Sequence, residues 1–178
     1  MKKILSVTVL ILISISSSAQ VHWMSLAQAL EAQKKEPRKI LIDFYTDACV
    51  PCKEMEKQTY NHPEIARIIN ERFYAVKFES DGNAPVSYAG HTFTNPNYKV
   101  SKSKNNLHQF TKYMNINIIP TMVFLDENTD PITSLSGFLK AQEVEPYFTM
   151  IATNAYKKIK SRREWEGYQK KFRSKIKE

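Results

Sequence analysis

Cysteine is scarce in this chain: two residues in 178, and both stand in the stretch ACVPC as Cys49 and Cys52. No second pair accompanies them, and His22, His62, His91 and His108 are scattered without metal-ligand spacing. A closed zinc site therefore lacks the four N or S ligands it needs, and no metal is expected. A purely structural bridge is poorly served too, because a two-residue gap closes a very short loop and removes little unfolded-chain entropy. No internal repeat is visible. The longest apolar run, Ile4 to Ile15, is about a dozen residues interrupted by Ser and Thr, short of the roughly 20 needed to span a bilayer. Lys2 and Lys3 precede that run and Ser17-Ser18-Ala19 follow it, the layout of a secretory signal cleaved after Ala19. No cysteine follows the small residues, which excludes lipid attachment at a mature N-terminal Cys.

Export sets the redox expectation, because disulfides persist outside the cytoplasm and are rare within it. A lone pair there either cycles or stays oxidised. Removal of residues 1–19 leaves 159, enough for one domain with a sizeable core and cramped for two. The expected division is a signal peptide at 1–19, a domain at 20–156 and a basic tail or helix extension at 157–178. The formal charge of +8 is uneven: the tail holds ten Lys or Arg against Glu164, Glu166 and Glu178, a net +7, and the body left between signal and tail is near −1. Such a run reads as a solvated helix or a frayed terminus, and it also offers a weak contact to a membrane surface or an acidic partner. The body itself is not basic, and nucleic acid is not an expected partner of an exported chain.

Ser25 and Gln28 have the spacing of a capping box, followed by Leu26, Ala29, Leu30 and Gln33 at helical period up to Lys35; Pro37 stops that helix. KILIDFY (39–45) and FYAVKFE (73–79) are near-continuous apolar runs, the pattern of strands buried on both faces. Between them CKEMEKQTY reads as helix, and Asn61 ahead of Pro63 caps a further helix through Ile65, Ile68 and Ile69. From 81 to about 104 the chain is polar and turn-rich without a sustained period, a long loop of the uncommon, often functional kind. Its Tyr88, His91, Phe93 and Tyr98 suit either a partner surface or packing against its own domain. Asn106 to Met114 reads as a short helix, 121–138 as two strands about a turn at Asn128 to Pro131, and Val144, Tyr147, Phe148 and Ile151 as the apolar face of a closing helix. Pro146 either sits in the first turn of that helix or kinks it. Strands alternating with helices, then a hairpin and a helix, describe an α/β domain with a mixed central sheet.

Cys49 follows a buried-type strand and opens a helix, where free backbone N–H groups and the helix dipole favour a thiolate. Cys52 lies one turn further in. That asymmetry suits disulfide exchange, in which an exposed thiolate attacks and the second thiol resolves the mixed disulfide. Pro51 stiffens the turn between them.

DFYTDACVPCK resembles the thioredoxin active-site segment, and AVKFESD (75–81), IIPTMVFL (118–125) and SGFLKAQEVEPYF (136–148) agree in order. The resemblance covers roughly 38–155 apart from the long loop, and is nearest to exported thioredoxin-like domains that begin with a Trp-containing helix, here Trp23 and Leu26. It implies a thioredoxin-like fold, a mixed central sheet flanked by helices, with a long inserted loop before the strand that follows a cis proline. It further implies Cys49 as nucleophile, Cys52 as resolving cysteine, Asp43 as the buried acid exchanging protons with it, and Pro120 as the cis proline facing the pair. Val50, Pro51, Ile119 and Thr121 are the implied substrate-binding residues, and Lys77 the lysine near the acid, which also suits an exposed strand position. Ala48 replaces the usual Trp and Val50-Pro51 the usual Gly-Pro, which loosens any transfer of potential or substrate range. No cofactor is implied; the implied partners are client proteins with disulfides and an upstream dithiol donor. The expected function is an exported thiol:disulfide oxidoreductase that reduces or isomerises client disulfides. The alternative is a redox-inert binding module of the same fold with a permanent Cys49–Cys52 bridge. Intact mass of the exported protein is expected to begin at Gln20; a retained Met1 would mean a membrane-anchored protein instead.

Overall fold

A computed structural model describes residues 20–98 and 106–177. The expected signal segment 1–19 lies outside the described residues, as do 99–105 of the expected loop.

The two apolar runs form the centre of the sheet. β2 (Lys39–Tyr45) and β3 (Phe73–Glu79) pair in parallel in register across their whole length. Ile40, Ile42 and Phe44 join Tyr74, Val76 and Phe78 in one core cluster, whereas Leu41, Phe73 and Ala75 belong to another. A strand with a core on each side has no reason to alternate with polar residues, which is why both runs look continuous in the sequence. β1 (Trp23–Met24) pairs in parallel with β3, β6 (Thr121–Leu125) runs antiparallel to β2, and β7 (Pro131–Ser136) antiparallel to β6. The sheet is therefore mixed, in the order β1-β3-β2-β6-β7.

α1 (Leu26–Lys35) carries the expected capping box: Gln28 N–H donates to Ser25 Oγ at 3.2 Å and Ser25 N–H to Gln28 Oε1 at 2.9 Å. α2 (Val50–Met55) passes into a π turn over Glu56–Tyr60, marked by Asn61 N–H donating back five residues to the Glu56 carbonyl at 3.0 Å. α3 (Pro63–Arg72) follows. Its cap is His62, whose imidazole accepts the Glu64 N–H, and not Asn61, which the π turn consumes.

The stretch expected as a long, turn-rich loop contains a hairpin, β4 (Val86–Tyr88) and β5 (His91–Phe93). Its two-residue turn is Ala89-Gly90, both at positive φ, 50° and 77°. That conformation is usually announced by Asn-Gly or Asp-Gly, and alanine in the first place hides it. Tyr88 and Phe93 pack against Phe110 at ring distances of 5.4 and 5.6 Å, so they serve this domain's own core, while His91 and Tyr98 stay exposed. α4 (Gln109–Tyr113) starts later than the expected Asn106, capped by His108. With α4 only five residues long, the hairpin and α1 supply the rest of the cover over that face.

The opposite face is covered by α3 and α5 (Ala141–Ala152). Pro146 sits in the interior of α5 rather than in its first turn, so the Gln142 carbonyl lacks the amide four residues on that an unbroken α-helix would offer it. α6 (Arg162–Lys171) lays Trp165 against Tyr147 at 4.5 Å and continues that row through Tyr168 and Phe172. Beyond it the chain turns back. The buried Glu145 carboxylate accepts the Ser174 hydroxyl and, at 2.8 Å, the Lys175 N–H, and Ile176 is buried in the core. The lysines and arginines of this segment remain exposed.

Asn95 closes the base of the hairpin insert, its side-chain amide donating to the carbonyls of Asp81, Gly82 and Asn106 at 3.2, 2.9 and 2.7 Å. Carbonyls stripped of a buried donor cost about 1–3 kcal/mol. Asn95→Ala is accordingly expected to lower urea stability by about that amount and to release hydrogen-exchange protection first between Val86 and Phe93. Unchanged protection there would show that the insert is held by other means.

Candidate active site

β2 ends at Tyr45, and the next turn delivers Cys49 as the N-cap of α2, with Cys52 in its first turn. The two are joined as a disulfide with Cα atoms 5.3 Å apart. Cys52 N–H points at Cys49 Sγ from 3.1 Å, a donor that would favour a thiolate there once the bridge opens. Cys49 is half-buried and Cys52 is 8% exposed, so an incoming thiol or disulfide meets Cys49 first.

The Ile119–Pro120 peptide is cis, as the resemblance implied. Pro120 immediately precedes β6, and the pairing of Thr121 with Phe44 sets it at the same end of the sheet as the cysteines. Val50 and Ile118 are large apolar side chains exposed at this end, at 67% and 56%. Of the expected substrate-binding residues, Val50 and Pro51 are exposed and Ile119 half-buried, but Thr121 is buried and its hydroxyl donates to the Ile118 carbonyl at 2.7 Å. Thr121 shapes the turn before the strand; it does not present a side chain to solvent.

Asp43 interrupts the apolar run of β2 and shares the Leu41 side of the sheet, under the α2 helix. It is 2% exposed. Parallel register sets Lys77 directly beside it on β3, with Nζ 3.5 Å from Asp43 Oδ2. Tyr60 O–H donates to the other oxygen, Oδ1, at 3.0 Å. Lys77 also pairs with Glu56, and its ammonium lies over the rings of Trp23, Tyr45 and Tyr60 at 4.8, 5.4 and 5.6 Å. Lys77 is thus a partner of the acid, not an exposed strand lysine. Burial pushes the Asp43 carboxyl up to about 6 from near 3.8, against the opposing pull of Lys77 and Tyr60. Burial likewise pushes Tyr60 far up, so its hydroxyl stays a donor. A cleft of about 370 Å³, whose lining includes Asp47, Cys52, Lys53, Glu56 and Lys77, brings the resolving cysteine together with the two charged partners Glu56 and Lys77; Asp43 itself does not line it.

Glu56 and Tyr60 were not among the expected site residues. Their signal was spacing: Cys52, Glu56 and Tyr60 recur every fourth residue, one stripe of a helix. Among the described residues no cluster of His, Cys, Asp and Glu could hold a metal ion, and no helix is long and apolar enough to cross a membrane.

The family model of the thioredoxin-like domain matches residues 26–151. The chain belongs to this family. A relative is the thiol:disulfide interchange protein DsbD of Cronobacter sakazakii, 30% identical over 120 residues that make up 65% of this chain and 17% of that protein. The DsbD of Neisseria meningitidis is 43% identical over 47 residues, 25% of this chain and 8% of that one. The chain therefore spans only a minor part of the length of these relatives. Among solved structures, a thioredoxin-fold protein from Helicobacter pylori superposes with a TM-score of 0.60 at 17% identity, covering 87% of this chain and 89% of the other. A thioredoxin from Thermus thermophilus superposes with a TM-score of 0.57 at 16% identity, covering 76% and 89%. The mixed sheet with helices on both faces is thus the thioredoxin fold.

The carboxyl of Asp43 gives this thioredoxin-like domain a pH signature. Between about pH 4 and 6 the folded state keeps a proton that the unfolded chain has released, so stability falls as pH rises through that window and the loss is complete above it. Asp43→Asn removes the penalty. The variant is expected to be more stable than the parent at pH 7 by on the order of 2–3 kcal/mol and equal to it near pH 4. Urea melts at the two pH values test this, and parity at pH 7 would mean that Asp43 ionises without cost.

Proposed function

We propose that this chain is an exported thiol:disulfide oxidoreductase that reduces or isomerises disulfides in client proteins. The observation that carries the reading is the Cys49–Cys52 bridge, whose Cys52 shares one cleft with Glu56 and Lys77, while Lys77 in turn pairs with Asp43, a buried carboxyl pushed up to about 6. A purely structural bridge has no use for that arrangement. Similarity to proteins named for thiol:disulfide interchange supports the same chemistry.

In the reduced protein the Cys49 thiolate attacks one sulfur of a client disulfide, forming a mixed disulfide and expelling the other sulfur as a client thiolate. Cys52 then gives up its proton to Asp43 and attacks Cys49 Sγ, releasing the client's remaining thiolate. Two electrons pass from the domain's dithiol to the client, and an upstream dithiol restores the reduced form. The exposed Val50 and Ile118 with Pro51, Ile119 and the cis Pro120 form the rim against which an extended client segment lies. Export rests on the signal-like residues 1–19.

Charge supports the reductive direction. Neither residue between the cysteines is cationic; in the cleft Lys53 is balanced by Asp47, while Asp43 and Glu56 share the single ammonium of Lys77. Net negative potential disfavours a thiolate, which makes the dithiol a better electron donor. A reduction potential near about −270 mV is expected, not the roughly −120 mV of a strong oxidant. Equilibration in glutathione buffers with free-thiol counting measures it; a value above about −150 mV would overturn the reductive reading, and a bridge that fails to exchange would favour the redox-inert binding module. Cys52→Ser is expected to trap clients as mixed disulfides and Cys49→Ser to trap none.

A further inference from the structure

Resting on that reading, we infer that Tyr60 is a positioning residue of the exchange site, its hydroxyl holding Asp43 in the charged, oriented form that accepts the resolving cysteine's proton. The residue is 1% exposed, and its ring is fixed on one side by Trp23, edge to face at 5.0 Å. Its hydroxyl reaches Asp43 Oδ1 at 3.0 Å. The second carboxylate oxygen faces Lys77. One oxygen of Asp43 is therefore spoken for by a neutral donor and the other by a cation that is shared with Glu56.

The geometry separates the two partners by how they respond to solution. Lys77 is partly exposed and divides its charge between two carboxylates, so its hold on Asp43 changes whenever Glu56 changes. Tyr60 is enclosed and stays protonated, so its bond is constant. A hydrogen bond to the ionised form favours that form, and Tyr60 lowers the Asp43 titration midpoint against burial. Among the described residues, the charged and titratable groups that act on Asp43 are Lys77 from β3 and Glu56 and Tyr60 from the π turn, with the uncharged Met122 beside it on β6. The π turn matters here because it brings Glu56 and Tyr60 to the same carboxylate–lysine pair.

Tyr60→Phe keeps the ring against Trp23 and deletes only the donor. Carbon NMR of the Asp43 carboxyl in the oxidised protein, where the cysteines do not titrate, reads the effect without any client. The midpoint is expected to rise by roughly one pH unit in Tyr60→Phe. In the same variant, resolution of a preformed mixed disulfide is expected to slow roughly fivefold at pH 6 and to recover at pH 8, with client KM unchanged. In an Asp43→Asn background the Tyr60→Phe change is expected to add no further effect on rate. An unmoved carboxyl midpoint overturns the inference, as does a raised midpoint with an unshifted pH–rate profile. A parent protein with no exchange activity but a Tyr60-dependent midpoint would instead sink the oxidoreductase reading and leave the effect of the hydrogen bond on Asp43 standing.

Discussion

A carboxylate placed in the middle of a sheet strand, covered on its own side by a helix, loses most of its hydration, and the structure around it must make up part of that loss or leave it neutral. Asp43 stands in that position, and much of the surrounding architecture answers to it. Parallel register with β3 supplies Lys77 as its Cα partner. The helix that carries the cysteines widens into a π turn and supplies Tyr60 and Glu56. The short strand β1 supplies Trp23, which braces Tyr60 and offers its ring to the Lys77 ammonium. Compensation is incomplete, since the carboxyl still sits well above its ordinary value. A fully satisfied acid would be a poor proton acceptor near neutral pH, and an unsatisfied one would never ionise, so the residual imbalance is the useful part.

The two faces of the sheet have different tasks. The Leu41 side carries Asp43, Lys77, the cysteine helix and α5, so chemistry and core packing share one layer. The Ile42 side holds no part of the exchange group. There the hairpin, α1 and the short α4 close over Phe44, Phe78 and Phe110, whose rings lie 5.2 to 5.8 Å apart. The insert therefore belongs to the hydrophobic interior, with Tyr88 anchored by its hydroxyl to the Thr129 carbonyl at 2.6 Å.

Much of this was legible in the residues. KILIDFY and FYAVKFE declared a doubly covered strand pair because burial on both faces removes alternation, and Asp43 was picked out by the thioredoxin resemblance. The capping box at Ser25 and Gln28 formed as spaced. What escaped had local chemistry that imitates something else. CKEMEKQTY has ordinary helical composition, and nothing in it signals a π turn; the contacts that Tyr60 and Glu56 make there, with Asp43 and Lys77, are tertiary ones. The hairpin was masked by alanine at a turn position normally held by Asn, Asp or Gly. β1 is two residues long, too short for any period. The bond from Glu145 to the backbone of Lys175 joins residues 30 apart in sequence, a distance over which pattern carries no signal.

The π turn also constrains the length of the chain. Each residue added to or removed from a helix rotates everything beyond it by about 100°. Between Cys52 and Pro63, side chains can be exchanged while the backbone count stays fixed. A single deletion between Glu56 and Tyr60 would turn Tyr60 about the helix axis relative to Glu56, even though every residue of the exchange group would still be present in the sequence. In this segment the site of this chain depends on the spacing of its residues as much as on their identity.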